Sequence, residues 1–171
     1  MKPWGFSHAG VGFKVVQECD LSEIALLQND YTTWSFLARS RIEKANLNAS
    51  DGRSYFVVFD RVNPFIGLIR LDEYDKMNLS IRIGVDVAMK LRGRGYGRKI
   101  LEALKKYCFQ CLNTHRVWLL VLETNKRARK LCKLQGFAVE GKQRGAIFRE
   151  GKYLDYIMMS MMEDEYRSLA T

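Results

Sequence analysis

Apolar and polar positions alternate most regularly over residues 79–87, where Leu79, Ile81, Ile83, Val85 and Val87 are separated by Ser80, Arg82, Gly84 and Asp86. A period of two describes a strand with one face in a core and the other toward polar surroundings. Upstream, residues 13–19 read as a first strand. Asp20, with Glu23 three residues on, reads as the start of a helical stretch that continues with interruptions to about residue 47. Residues 48–53 are a polar loop, 55–60 a strand, Asn63-Pro64 a turn, 65–71 the next strand and 72–78 an acidic connection. After residue 87 the period changes. Ile100, Leu104, Tyr107, Cys108 and Cys111 recur at helical spacing, opposite Lys99, Glu102, Lys105, Lys106 and Gln110. Residues 117–122 form a continuous apolar run, suited to a strand buried on both faces. A short basic helix follows over 125–135, with Gly136 placed as its C′ glycine. Residues 137–140 begin another strand, and 146–149 and 153–161 flank a hairpin turn at Glu150-Gly151. Residues 163–171 are expected to fray. The order β-α-α-β-β-β-α-β-α-β-β predicts an α+β, or mixed α/β, fold.

The chain has 171 residues, 47% apolar and 27% charged, which suits one globular domain over residues 1–171. Folding at this length buries roughly 70% of the extended chain's surface, so neither a disulfide nor a metal is needed to hold a core. Cys19, Cys108, Cys111 and Cys132 lack scaffold spacing and read as reduced thiols in a cytoplasmic protein. Cys108 and Cys111 lie on the apolar stripe of their helix with no second Cys/His pair nearby, so core packing is expected and no metal. The start of the chain lacks an apolar signal core, and the longest apolar run is too short to span a bilayer. Met158, Met159, Met161 and Met162 read as a last strand in the core or at a homodimer contact.

The net charge of +9 is unevenly spread. Residues 88–133 hold 13 Lys and Arg against Glu102 and Glu123, whereas the rest of the chain holds 15 against 17 acids. Such a local positive field favours an anionic ligand, either nucleic acid or a phosphorylated cofactor, although a solvated helix face accounts for part of it. A base-stacking surface needs exposed aromatics among its cations, and this stretch offers Tyr96, Tyr107, Phe109 and Trp118, two of them at core spacing.

At the centre of the basic stretch, a strand runs into Arg92-Gly93-Arg94-Gly95-Tyr96-Gly97-Arg98 and then into an amphipathic helix. Glycines at alternate positions let the backbone turn tightly and approach a ligand. The unsatisfied amides of the following helix start, at the positive end of its dipole, make a diphosphate cradle, and Arg92, Arg94, Arg98 and Lys99 add charge. The Gly-Lys-Ser/Thr of nucleotide hydrolases is missing, and G-x-G-x-x-G fails because the third glycine comes one residue early. Arg-x-x-Gly-x-Gly does fit, at Arg92, Gly95 and Gly97. Downstream stand Asn125, Ala128 and Gly136-Phe137, and then Arg144 to the segment Tyr153-Leu-Asp155. These motifs resemble the GNAT superfamily of N-acetyltransferases, in the branch of ribosomal-protein, spermidine and nucleotide-amino-sugar enzymes. Gln28-Asn29-Asp30 resembles that branch too.

The resemblance implies a central mixed, mostly antiparallel, twisted sheet whose fourth and fifth strands splay apart, flanked by helices. Acetyl-CoA is then the co-substrate, with its pantetheine arm against the backbone of Val85 and Val87, its diphosphate on the amides of Arg92 to Gly97, and Asn125 and Ala128 beside the arm. A primary amine attacks the thioester directly in a ternary complex, which requires a neutral amine, a stabilised oxyanion and a protonated leaving thiolate. Many members carry a Tyr where Cys132 stands, so Cys132 is either that acid or a small core residue. Many carry a Glu where Arg82 stands, which cannot act as a base. Asp86 and Glu123 are the carboxylates left for a proton relay, or are ion-paired. Asn29, Tyr31 and Trp34 fall where the family shapes its acceptor pocket. The expected acceptor is a nucleotide-linked amino sugar or a protein N-terminus, with spermidine less attractive for so basic a chain. A non-catalytic acetyl-CoA-binding protein and a nucleic-acid-binding module are the alternatives.

Overall fold

A computed structural model describes residues 5–29 and 53–169. These form one eight-stranded sheet in the order β1-β2-β3-β4-β5-β6-β8-β7. The strands are β1 (Phe6–His8), β2 (Val11–Val15), β3 (Ser54–Phe59), β4 (Gly67–Asp75), β5 (Ser80–Val87), β6 (Arg116–Leu122), β7 (Ala138–Arg149) and β8 (Lys152–Met162). The described helices are α1 (Leu21–Asn29), α2 (Tyr96–Lys106), α3 (Lys126–Leu134) and α4 (Glu163–Leu169). Neighbouring strands pair antiparallel, except β5 with β6, which are parallel. The mixed, mostly antiparallel sheet expected from the sequence is therefore present, and the fourth and fifth strands of that reading are β5 and β6.

The alternation in β5 sorts its side chains as expected. Ile81 and Ile83 are buried in the main core with Ile100, Leu104, Val117 and Met159, whereas Arg82, Gly84 and Asp86 share the opposite face. On that second face α1 packs Ile24 and Leu27 over Val57 and Leu68. β6 is less enclosed than its composition predicts, since Trp118 and Leu120 are only half-buried. The guanidinium carbons of Arg82 and Arg116 lie 5.6 Å and 5.5 Å from the centroid of the Trp118 ring. Cation–π contact thus covers part of this aromatic surface.

Four local expectations are corrected. The first strand starts earlier and is preceded by β1, the two joined through Ala9 and Gly10 at φ 53° and 78°. Asp20 does not cap the helix from outside. It sits in a 3-10 turn over Glu18–Asp20, where its carboxylate accepts from the Gln17 amide at 3.0 Å and from Lys14 Nζ at 2.7 Å. β4 runs on to Asp75 because Asp72, directly opposite Arg82, pairs with it at 3.1 Å, so an acidic residue is tolerated in a buried strand. Residues 163–169 form α4 rather than a frayed tail. Tyr166 stacks on Phe109 with ring centroids 4.8 Å apart, and a Cβ on Gly136 would come within 2.5 Å of Leu169 Cδ1.

The end of α3 is built as expected. Gly136 takes φ 90°, Gly136 N–H donates to the Lys133 carbonyl, and Phe137 N–H donates to the Cys132 carbonyl, both at 3.0 Å. This is a Schellman closure. The buried Lys105 adds a 2.8 Å bond to the Gln135 carbonyl, putting a cation at the negative end of that helix. Cys108 is buried as predicted, but Cys111 is exposed. The helix widens into a π-helical turn over Tyr107–Cys111, which rotates Cys111 off the apolar stripe. Of the methionines, Met159 and Met161 are fully buried, as period two requires of a strand with one core face.

Candidate acetyl-CoA site

β5 pairs with β4 up to Val87 opposite Gly67, but with β6 only at Ser80 with Arg116, Ile81 with Val117 and Arg82 with Trp118. Beyond Arg82 the parallel strands diverge and a cleft opens. The Ala88 amide donates to the Ile66 carbonyl at 2.9 Å, and the Asp86 carbonyl abuts Gly67, where any Cβ would collide with it. Alternate residues of a strand direct their backbone groups to opposite sides. The backbone groups of Val85 and Val87 therefore face the cleft. The Val87 carbonyl accepts from Arg92 Nε at 2.9 Å, which ties the following loop to the strand.

The loop passes through a 3-10 turn at Met89–Leu91 and enters the left-handed region at Gly93 (φ 84°) and Gly95 (φ 83°). Gly95 is the N-cap of α2 and supplies no side-chain acceptor. Among the described residues, the amides of residues 93–97 find no backbone carbonyl to donate to. They are the unsatisfied donors of a helix start, collected at the positive end of its dipole. A Cβ on Gly97 would lie 2.9 Å from Leu131 Cδ2, so this glycine serves close packing of α2 on α3. A Cβ on Gly93 would lie 3.3 Å from Arg127 Nη2. Arg127 is thus a cation held over the loop by a different helix. Sequence reading missed it, although its place in the basic first turn after Asn125 was a usable signal. Arg94 is exposed, and Arg98 Nε is engaged with Glu102 at 2.8 Å. Tyr96 contributes its backbone to the loop, but its hydroxyl turns away to Asp60, at 2.7 Å.

The other expected residues are distributed around the cleft. Asn125 Oδ1 accepts from the Ala128 amide at 3.1 Å, so its carbonyl caps α3, and Ala128 packs against the main core. Asp86 is largely buried on the face of β5 that it shares with Arg82, with Arg70 Nη2 at 3.2 Å from its carboxylate. Burial pushes its pKa up, outweighing the attraction of Arg70 and Arg92. Glu123 lies at the end of β6, half-exposed, with Lys142 Nζ at 2.7 Å, and the same ammonium reaches Asp155 at 3.2 Å. Asp155 therefore shares Lys142 with Glu123. Cys132 is 5% exposed in the main core, and burial pushes its thiol up to about 12. Asn29 is the exposed last residue of α1, while Tyr31 and Trp34 lie outside the described residues. Of the aromatics in the basic stretch, Tyr96 is hydrogen-bonded, Tyr107 packs on Phe6, Phe109 on Tyr166 and Trp118 between guanidiniums. None of the four is offered to a stacked base.

The model of the Acetyltransferase (GNAT) family matches residues 21–137. The chain belongs to this family. It is 31% identical over 111 residues to a spermidine N(1)-acetyltransferase of Vibrio cholerae, covering 65% of this chain and 64% of that protein. It is 28% identical over 100 residues to a putative ribosomal N-acetyltransferase, YdaF, of Bacillus subtilis, covering 58% of this chain and 55% of that protein. The matched segments thus span less than two thirds of these curated relatives. Among solved structures, spermidine N-acetyltransferase from Vibrio cholerae in complex with CoA and spermine superposes with a TM-score of 0.85 at 25% identity, covering 94% of this chain and 99% of that one. Arg82, which stands where many GNAT members carry a glutamate, is bound to Asp72 and, at 2.8 Å, to Glu73.

Proposed function

We propose that this protein transfers the acetyl group of acetyl-CoA to a primary amine. The observation that carries the reading is the juxtaposition of a splayed β5–β6 pair with a run of unbonded amides at residues 93–97, the left-handed glycines 93 and 95 among them. Val85 and Val87 would hold the pantetheine arm, and the amides of residues 93–97 with Arg94 and Arg127 would hold the diphosphate. The co-substrate supplies an activated acyl carbon. The chain's own work is to align the amine, to exclude water and to take the proton that the amine sheds. Asp86 is the better-placed base. It lies on β5 within the stretch that no longer pairs with β6, whereas Glu123 is neutralised by Lys142.

Cys132 fits packing better than acid catalysis. A thiol near 12 protonating a thiolate of about 8.5 works uphill by about 5 kcal/mol. Cys132→Ala is therefore expected to leave kcat within about twofold and to lower stability by about 1 kcal/mol. A hundredfold fall in kcat at unchanged KM for acetyl-CoA would restore Cys132 as the acid.

For the acceptor, charge pairing favours a nucleotide-linked amino sugar or a protein N-terminus. Asp72, Glu73, Asp86 and Glu140 each stand in an ion pair with Arg82, Arg70 or Arg116 along the sheet face that carries α1, so these four carboxylates are already engaged and are poor anchors for a polycation. A polyamine is the second reading, favoured by the spermidine enzymes among the relatives. A CoA-release assay over amino sugars, peptides and polyamines tests both. Turnover of UDP-linked amino sugars or peptides above that of spermidine supports the first reading, the reverse order supports the second, and no turnover on any amine sinks the enzymatic proposal.

A further inference from the structure

The β3–β4 connection holds a feature that local folding does not require. Asp60 Oδ1 accepts from the amides of Val62 and Asn63, at 2.8 Å and 2.6 Å, and from Asn63 Nδ2 at 3.2 Å. The β4–β5 connection repeats the arrangement. Asp75 Oδ1 accepts from the amides of Met77 and Asn78, both at 2.9 Å, and Asp75 Oδ2 accepts from Asn78 Nδ2 at 2.7 Å. Asp-Arg-Val-Asn and Asp-Lys-Met-Asn are thus two copies of one self-contained turn. Only the first reaches outside itself. Tyr96 O–H donates to Asp60 Oδ2 at 2.7 Å, and Asn63 Nδ2 donates to the Tyr96 hydroxyl oxygen at 3.0 Å.

Tyr96 is the first residue of α2, directly after Gly95. Two left-handed glycines and an N-cap without a side-chain acceptor leave the loop few internal restraints. Arg92 Nε on Val87 restrains its entry. Its exit, where the amides of residues 95–97 must converge, is held by Tyr96. The turn carboxylate also stands where electrostatics alone would not put it, since a negative charge near a diphosphate site opposes binding. Its placement makes sense through the hydrogen bond it holds.

We propose that Asp60, Asn63 and Tyr96 form a clamp that pre-organises the glycine loop for the diphosphate of CoA. Asp60 and Tyr96 are accordingly positioning residues for the co-substrate. The inference rests on the reading of this loop as the CoA cradle. Holding donors in place before binding strengthens binding by removing the cost of ordering them.

The test is calorimetric titration with CoA of the full chain and of Tyr96→Phe, Asp60→Ala, Asp60→Asn and Asp75→Ala, with melting temperatures alongside. Tyr96→Phe and Asp60→Ala are each expected to weaken CoA about tenfold, and their combination about tenfold rather than a hundredfold, because the two act as one unit. Asp60→Asn keeps a carbonyl oxygen for the turn amides and puts an NH2, able to donate to the tyrosine oxygen, where Oδ2 stood, so it should recover part of the lost affinity. Asp75→Ala removes the twin turn and should leave CoA affinity unchanged at a similar loss of melting temperature. That contrast separates positioning from general stability. Tyr96→Phe and Asp60→Ala binding CoA as tightly as the parent, or Asp75→Ala weakening it equally, overturns the clamp and leaves the cradle standing. A parent chain that does not bind CoA overturns both.

Discussion

Gly95→Glu is expected to weaken CoA binding at least a hundredfold while the melting temperature falls by only about 4 °C. Gly95 has φ 83°, where a side chain costs about 1–2 kcal/mol, and for a chain of this size each kcal/mol moves the melting point by about 2–4 °C. A Cβ there meets nothing within 4 Å, so the substitution brings no collision. Its carboxylate, however, stands among the donors of residues 93–97, where a diphosphate would have to sit. Repulsion and occupation of the same amides together need supply only about 2.7 kcal/mol for a hundredfold loss. Gly97→Glu would be a poorer probe, because its Cβ presses on Leu131 at 2.9 Å and would also disturb the packing of α2 on α3. Calorimetry with CoA and a thermal melt check the prediction. Undiminished affinity in a folded Gly95→Glu protein would remove the diphosphate from this loop.

The parts of the fold that were legible in the sequence are those whose pattern is local. β5 showed through strict alternation, α2 through its apolar stripe, the hairpin through Glu150-Gly151, and the end of α3 through Gly136. The loop was legible because left-handed turns and close packing both demand glycine, here for different reasons at Gly95 and Gly97. What stayed hidden depends on partners distant in sequence. β4 reads as ending at Leu71 until Arg82 is known to lie opposite Asp72. The terminal helix reads as a loose tail until Phe109 is placed under Tyr166. Asn125 has a chemistry that suits both a cap and a ligand contact, and only geometry shows its carbonyl on the Ala128 amide. Arg127 was one cation among 13 in its stretch, and nothing in composition singles out the one that overhangs Gly93. Cys132 occupies an informative position, but the burial that decides its acidity comes from the core around it.

Asp86→Asn is expected to lower kcat/KM about a hundredfold or more and yet to leave the protein as stable as the parent, or more so, at neutral pH. Burial raises the pKa of Asp86 despite the attraction of Arg70 and Arg92, so the folded chain holds this proton more tightly than the unfolded chain does. Stability from such a group is complete below the ordinary aspartate range and is lost as pH rises through the raised folded value. Wherever it is ionised the carboxylate therefore costs stability, and an amide of the same shape, neutral at every pH, avoids that cost. A largely buried ion pair is weak evidence for stability, and a carboxylate whose pKa is raised by burial has another use as a general base. Loss of such a base typically costs about a hundredfold to ten-thousandfold in rate. The pH profile supplies an independent check. In the parent, kcat/KM should fall on the acid side as Asp86 takes up its proton, at a pH above the ordinary aspartate range, and Asp86→Asn should lack that limb. If Asp86→Asn instead turns over normally and melts several degrees lower, the Arg70–Asp86 pair holds the sheet together and the amine loses its proton to solvent.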